Sequence, residues 1–149
     1  MAKTIFDSAH RDELLERLNR LTPDAQAQWG KMTAAAMICH LSDSLRVASG
    51  EVPADFHRGP LAHPVVRWLM AYVVPFPKGK AQTAPEMLLT KPSDWQADLS
   101  AARDQLRAAA QRGPEGKWAR HPAFGDVSGS LYGVFIYKHF DHHLRQFGV

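Results

Sequence analysis

The chain has a single cysteine, Cys39, in 149 residues, so no intramolecular disulfide can brace the fold. That fits a reducing compartment, and a cytoplasmic location is expected. Long apolar runs are also missing. The best candidate, "VVRWLMAYVVPF" (65–76), carries Arg67 and stops at Pro75, well short of the roughly 20 residues a membrane span needs. The opening "MAKTIFDSAHRDELLERL" has no apolar stretch of the kind a secretory signal requires. Lys and Arg are spread along the chain, and the formal charge is only +3, a pattern that argues against a nucleic-acid partner. Phosphate loops, the dinucleotide glycine fingerprint and the G-x-S-x-G elbow are all absent.

No segment alternates with the period of a strand, whereas four segments repeat with the period of a helix. The first runs from about Asp7 to Leu21, capped by Asp7 or Ser8, with Leu14, Leu15, Leu18 and Leu21 on one side. The second runs from Thr33 to about Ser49, with Met37, Leu41, Leu45 and Ala48 as its apolar stripe and Gly50 as its stop. The third opens at Ser93, with Gln96 completing a capping box. Trp95, Leu99, Ala102, Leu106 and Ala109 form a narrow seam before Gly113-Pro114 closes it. The fourth begins near Ser128 and ends near Phe147.

Between the second and third segments, residues 50–92 hold most of the ten prolines. Within that connection "HPVVRWLMAYV" can form a short helix, and the rest reads as an ordered, irregular crossover. The expectation is one all-α domain over residues 1–149, a four-helix bundle with a long crossover between its second and third helices.

The fourth segment carries the chemistry. Its closing stretch "KHFDHHLRQFGV" puts His139, His142 and His143 within five residues of one another. At about 100° per residue, His143 lies about 40° round the helix from His139 and one turn along, so their imidazoles can converge on one point. His142 sits about 60° to the other side and stays open as a ligand, while Asp141, about 160° away, faces outward. Two imidazoles leave a site incomplete, since a catalytic zinc takes three protein ligands and a structural one four. The third candidate is His40, in mid-helix within "MTAAAMICHLSDSL". Asp43, one turn on, is either a fourth ligand or an acceptor that orients an imidazole. Cys39 reads as a buried packing residue. His10, His57, His63 and His121 receive no role.

Three stretches resemble the DinB-like superfamily of four-helix metalloproteins, and a poorly characterised bacterial branch of it in particular: "AMICHLSDSL" around His40, the loop "HPAFG" (121–125) and the closing "HFDHHLRQF". The order of elements agrees over nearly the whole chain, long crossover included. The resemblance implies His40, His139 and His143 as ligands of a divalent ion, nickel or zinc, with His142 outside the ligand set. It implies a metal-dependent enzyme, a thiol-dependent transferase or a hydrolase, with a low-molecular-weight thiol or another small molecule as substrate. Asp43, Tyr132 and Gln146 are then candidates to line the pocket or support the ligands. The alternative is a non-catalytic metal-binding or interaction module, in which the ion ties the second helix to the fourth. A homodimer is also expected, formed through the apolar "VVRWLMAYVV" segment.

Overall fold

The computed structural model describes residues 1–80 and 82–149, and among these the chain is all-helical with no strand. Five helices form: α1 (Ser8–Arg20), α2 (Ala34–Ser49), α3 (Pro64–Tyr72), α4 (Trp95–Arg112) and α5 (Gly129–Gln146). Short 3-10 turns at Pro60–Ala62 and Pro85–Leu88 lie within the crossover. No described helix is long and apolar enough to cross a membrane.

Local chemistry sets most of the boundaries. The Asp7 carboxylate accepts from the His10 amide at the start of α1, Thr33 caps α2 by accepting from Ala36, and Ser128 caps α5 by accepting from Leu131. Gly50 ends α2 in the left-handed conformation, at φ +82°. The start of α4 differs from expectation by one residue. Asp94, not Ser93, is the cap, accepting from the Ala97 amide. The reciprocal contact comes from Asp98, whose carboxylate accepts from both the amide and the hydroxyl of Ser93, so Gln96 has no part in it. Inside the crossover Pro64 occupies the first turn of α3, and the His63 ring accepts from the Val65 amide.

The apolar stripes meet in one core. Leu14 and Leu18 of α1, Met37, Leu41 and Leu45 of α2, Leu99 and Leu106 of α4, and Phe140 and Leu144 of α5 are all buried together. α2 packs on α4, and α1 on α5 and α4. Arg17 crosses from α1 to α5, donating to the Asp141 carboxylate at 2.7 Å and to the Val149 carbonyl at 3.0 Å. Asp141 therefore faces away from the neighbouring histidines, as its helical position requires.

A second, smaller cluster joins the crossover to the other side of α5. It is built from Ala71, Phe124, Val134 and Phe135, with Leu61, Met70 and Phe76 against it. Phe124 and Phe135 stack with centroids 4.1 Å apart. Polar clamps hold this layer down. Lys138 of α5 donates to the Val74 carbonyl at 2.7 Å and to that of Met70, while Arg67 donates to the carbonyls of Phe124 and Asp126. The crossover is thus pinned along the histidine-bearing part of α5.

Phe140, one residue beyond His139, is fully buried in the main core. Phe140→Ala is expected to lower the unfolding free energy by about 3–5 kcal/mol in urea titration; a loss below ~1 kcal/mol would place the ring outside the core.

Candidate metal centre

α2 and α5 carry the three histidines that meet. His40 sits in mid-α2, buried among core residues, while His139 and His143 lie one turn apart on α5 and keep part of their surface open. The His40 Nε2 lies 2.9 Å from the His139 Nε2, and the His143 Nε2 lies 3.1 Å from the same atom. Ligating atoms of all three fall within 4.8 Å of one another.

The other ring nitrogens decide where the protons are. His40 Nδ1 lies 2.9 Å from the Met87 carbonyl oxygen. A carbonyl can only accept, so Nδ1 carries the hydrogen, and in a neutral ring Nε2 is bare. His143 Nδ1 lies 2.8 Å from Gln146 Oε1. The amide cannot be turned round, because its Nε2 donates to the Trp29 carbonyl at 2.8 Å. His143 Nε2 is therefore bare as well. The His139 Nε2 faces two lone pairs, and one N–H cannot satisfy both. A cation in the centre uses all three. Nitrogens about 2.0–2.1 Å from an ion stand roughly 3 Å apart, which the two measured separations match. The set can hold a metal ion.

Burial keeps the cluster in the form that ligation requires. It lowers the pKa of His40, lowers that of His143 to about 3, and lowers that of His139 well below the ordinary histidine value, with His143 as a secondary cause. All three imidazoles are neutral at pH 7.

The remaining candidates separate. Gln146 touches a ligand directly, as described. Tyr132 lines the cavity in front of the triad, but its hydroxyl donates to the Ala119 carbonyl at 2.8 Å and its ring stacks on Trp118, so its polar end is already engaged. Asp43 is neither a fourth ligand nor a direct acceptor from an imidazole. It is fully buried, and its two oxygens accept from the Thr90 amide at 2.8 Å and hydroxyl at 2.6 Å. Its effect on the site is indirect, since Thr90 lies three residues beyond Met87 and the Asp43 clamp holds in place the segment whose carbonyl orients His40. His142 packs against Trp29 and lies outside the cluster, as does Cys39, whose thiol burial pushes up to about 11.

Two residues without an expected role matter here. Gly30 has φ +76°, and a Cβ there would sit 2.9 Å from Gln146 Nε2. Only glycine lets the loop come this close to the side chain that supports His143. His121 is held in the "HPAFG" loop, where its Nδ1 accepts from the amides of Ala123 and Phe124, both at 3.1 Å. It lines the same cavity as the triad, a space of about 1470 Å³ onto which His40, His139 and His143 open.

Burial lowers the His121 pKa to about 4 from an unfolded value near 6.5. The unfolded chain therefore binds this proton between those values and the folded one does not. Stability from this group is complete above about pH 6.5 and is lost as pH falls toward 4. Urea titrations across this window should show a shallower pH slope for His121→Asn than for the parent, by about one proton near pH 5. Equal slopes would mean that His121 protonates freely in the folded state.

Residues 3–148 match the family model described as a protein of unknown function, DUF1569. Comparison with curated proteins and with solved structures gave no match. The match spans nearly the whole chain, loops and histidine-bearing helices alike, and the chain belongs to the DUF1569 family.

Proposed function

We propose that the chain is a metal-dependent enzyme in which His40, His139 and His143 hold a divalent ion, nickel or zinc, on the wall of a large cavity. Support comes chiefly from one observation: two Nε2 atoms, each bare because its partner nitrogen donates elsewhere, converge on a third. On this reading the four long helices form a DinB-like bundle, with residues 50–92 as its long crossover and α3 as an addition within it. Such an ion, when bound, supplies Lewis acidity, a nucleophile at neutral pH and affinity for soft sulfur donors.

The chain's own residues do the rest. Met87 and Gln146 fix the tautomers of His40 and His143, and so the direction of their lone pairs. No Asp or Glu among the described residues lines the cavity, so no carboxylate stands there to compete for an open position on the ion. Apolar walls around Phe124 and Phe135 line the part of the cavity beyond the histidines. A thiol-dependent transfer or a hydrolysis fits this arrangement. A purely structural site is the weaker reading, because the triad opens on the cavity and Asp43 is engaged elsewhere.

A second copy of the chain is the proposed partner for the outer face of α3, where Val65, Trp68 (55 % exposed), Tyr72 and Val73 lie open. Light scattering after gel filtration at micromolar concentration should then give twice the chain mass; a clean monomer overturns this.

Plasma mass spectrometry on tag-free protein is expected to find near-stoichiometric nickel or zinc in the parent and none in His143→Ala. Gln146→Ala and Gly30→Ala, which leave all three ligands in place, should weaken metal binding by about 10–100-fold. Chelator should lower the parent's melting temperature. A parent that is empty and refuses added nickel and zinc overturns the proposal.

A further inference from the structure

The cavity has a direction. α5 runs its full length, and from Tyr132 to Gln146 it covers roughly 20 Å at 1.5 Å per residue. At the Tyr132 end the walls are Val47, Leu61, Phe124, Phe135 and Ile136. At the Gln146 end they are Trp29, Lys31 and Lys80, with Lys78 just behind, its ammonium 4.4 Å from the Trp29 ring centroid. The three histidines lie between the two ends.

The basic end is unbalanced. Lys31, Lys78 and Lys80 make no ion pair with any described residue, and no carboxylate lines the cavity among the described residues. The Trp29 indole N–H at this end is buried and has no partner among the described residues. A buried donor without an acceptor is costly unless something else supplies one. Two lysines and an unpaired indole N–H favour negative charge at this end. The far end favours hydrocarbon.

We infer that the substrate is an amphipathic anion, with its acidic head between Lys31, Lys80 and the Trp29 N–H, its apolar tail against Leu61, Phe124 and Phe135, and its reacting bond between them at the three histidines. The inference rests on the metal-site reading only for where the reacting bond lies. The head and tail positions rest on the lysines, the indole and the apolar walls.

Octanoate, octanol and octyltrimethylammonium, each below its aggregation limit, test this in zinc-supplemented protein, with the part of the tryptophan fluorescence that Trp29→Phe removes as the readout. Octanoate should bind about tenfold or more tightly than octanol, the difference expected of a charge-assisted contact, and the cation should bind weakest. Reversing both exposed lysines, Lys31→Glu with Lys80→Glu, should abolish the preference for octanoate while leaving zinc stoichiometry unchanged. Equal binding of octanoate and octanol, binding of none of the three, or a double variant that keeps the preference overturns the inference. Protein that takes up zinc without preferring octanoate overturns this inference alone. Protein that prefers octanoate but takes up no zinc overturns the metal-site reading alone.

Discussion

Two imidazole nitrogens within hydrogen-bonding distance of a third, in surroundings that hold all three rings neutral, form the constraint on which the rest of the molecule depends. Two of them have given their hydrogens to a carbonyl and to an amide oxygen, so both turn lone pairs toward the third and at least one of these contacts is repulsive. The fold holds them together against that repulsion with the core around α2 and α5, where Met37, Leu41, Phe140 and Leu144 are buried on the same two helices. The stability of the core thus maintains an arrangement that a cation would relieve, and on the proposed reading ligation would be thermodynamically linked to folding.

The crossover completes the site. It supplies the Met87 carbonyl that turns His40, the apolar wall at Phe76 and Met70, and one side of the cavity. Its attachments are polar and specific: Asp43 to Thr90, Lys138 to the Met70 and Val74 carbonyls, and Arg67 to those of Phe124 and Asp126. The segment with the least regular sequence is therefore anchored at several points along its length.

Sequence reasoning reached the helices because their signals are local. A cap and a stripe lie within one segment, and Thr33, Ser128 and Gly50 act where they stand. The approach of His143 to His139 was legible from helical arithmetic alone. His40 stood out as a candidate from its place in mid-helix, but its meeting with α5 depends on how two distant helices pack, which the sequence does not show. Asp43 shows the limit: its position on α2 was correct, but nothing in the sequence says which neighbour it faces, and that neighbour is Thr90. Gly30 and His121 were illegible for the same reason, since each acts through a loop whose path is set by tertiary contacts. The shift of the α4 cap from Ser93 to Asp94 is a smaller case, in which two adjacent residues offered the same chemistry and Asp98 decided between them.

The orienting contact on His40 comes from a backbone oxygen, so no exchange of side chain at Met87 removes it. What must be kept is a match between two rulers. His40 and Asp43 stand three positions apart on a rigid helix, and they engage Met87 and Thr90, three positions apart on the crossover. Many substitutions between those anchors leave this match intact, but one inserted or deleted residue puts the two rulers out of step. For this stretch, evolutionary freedom lies in the choice of letters, and the restriction falls on their number.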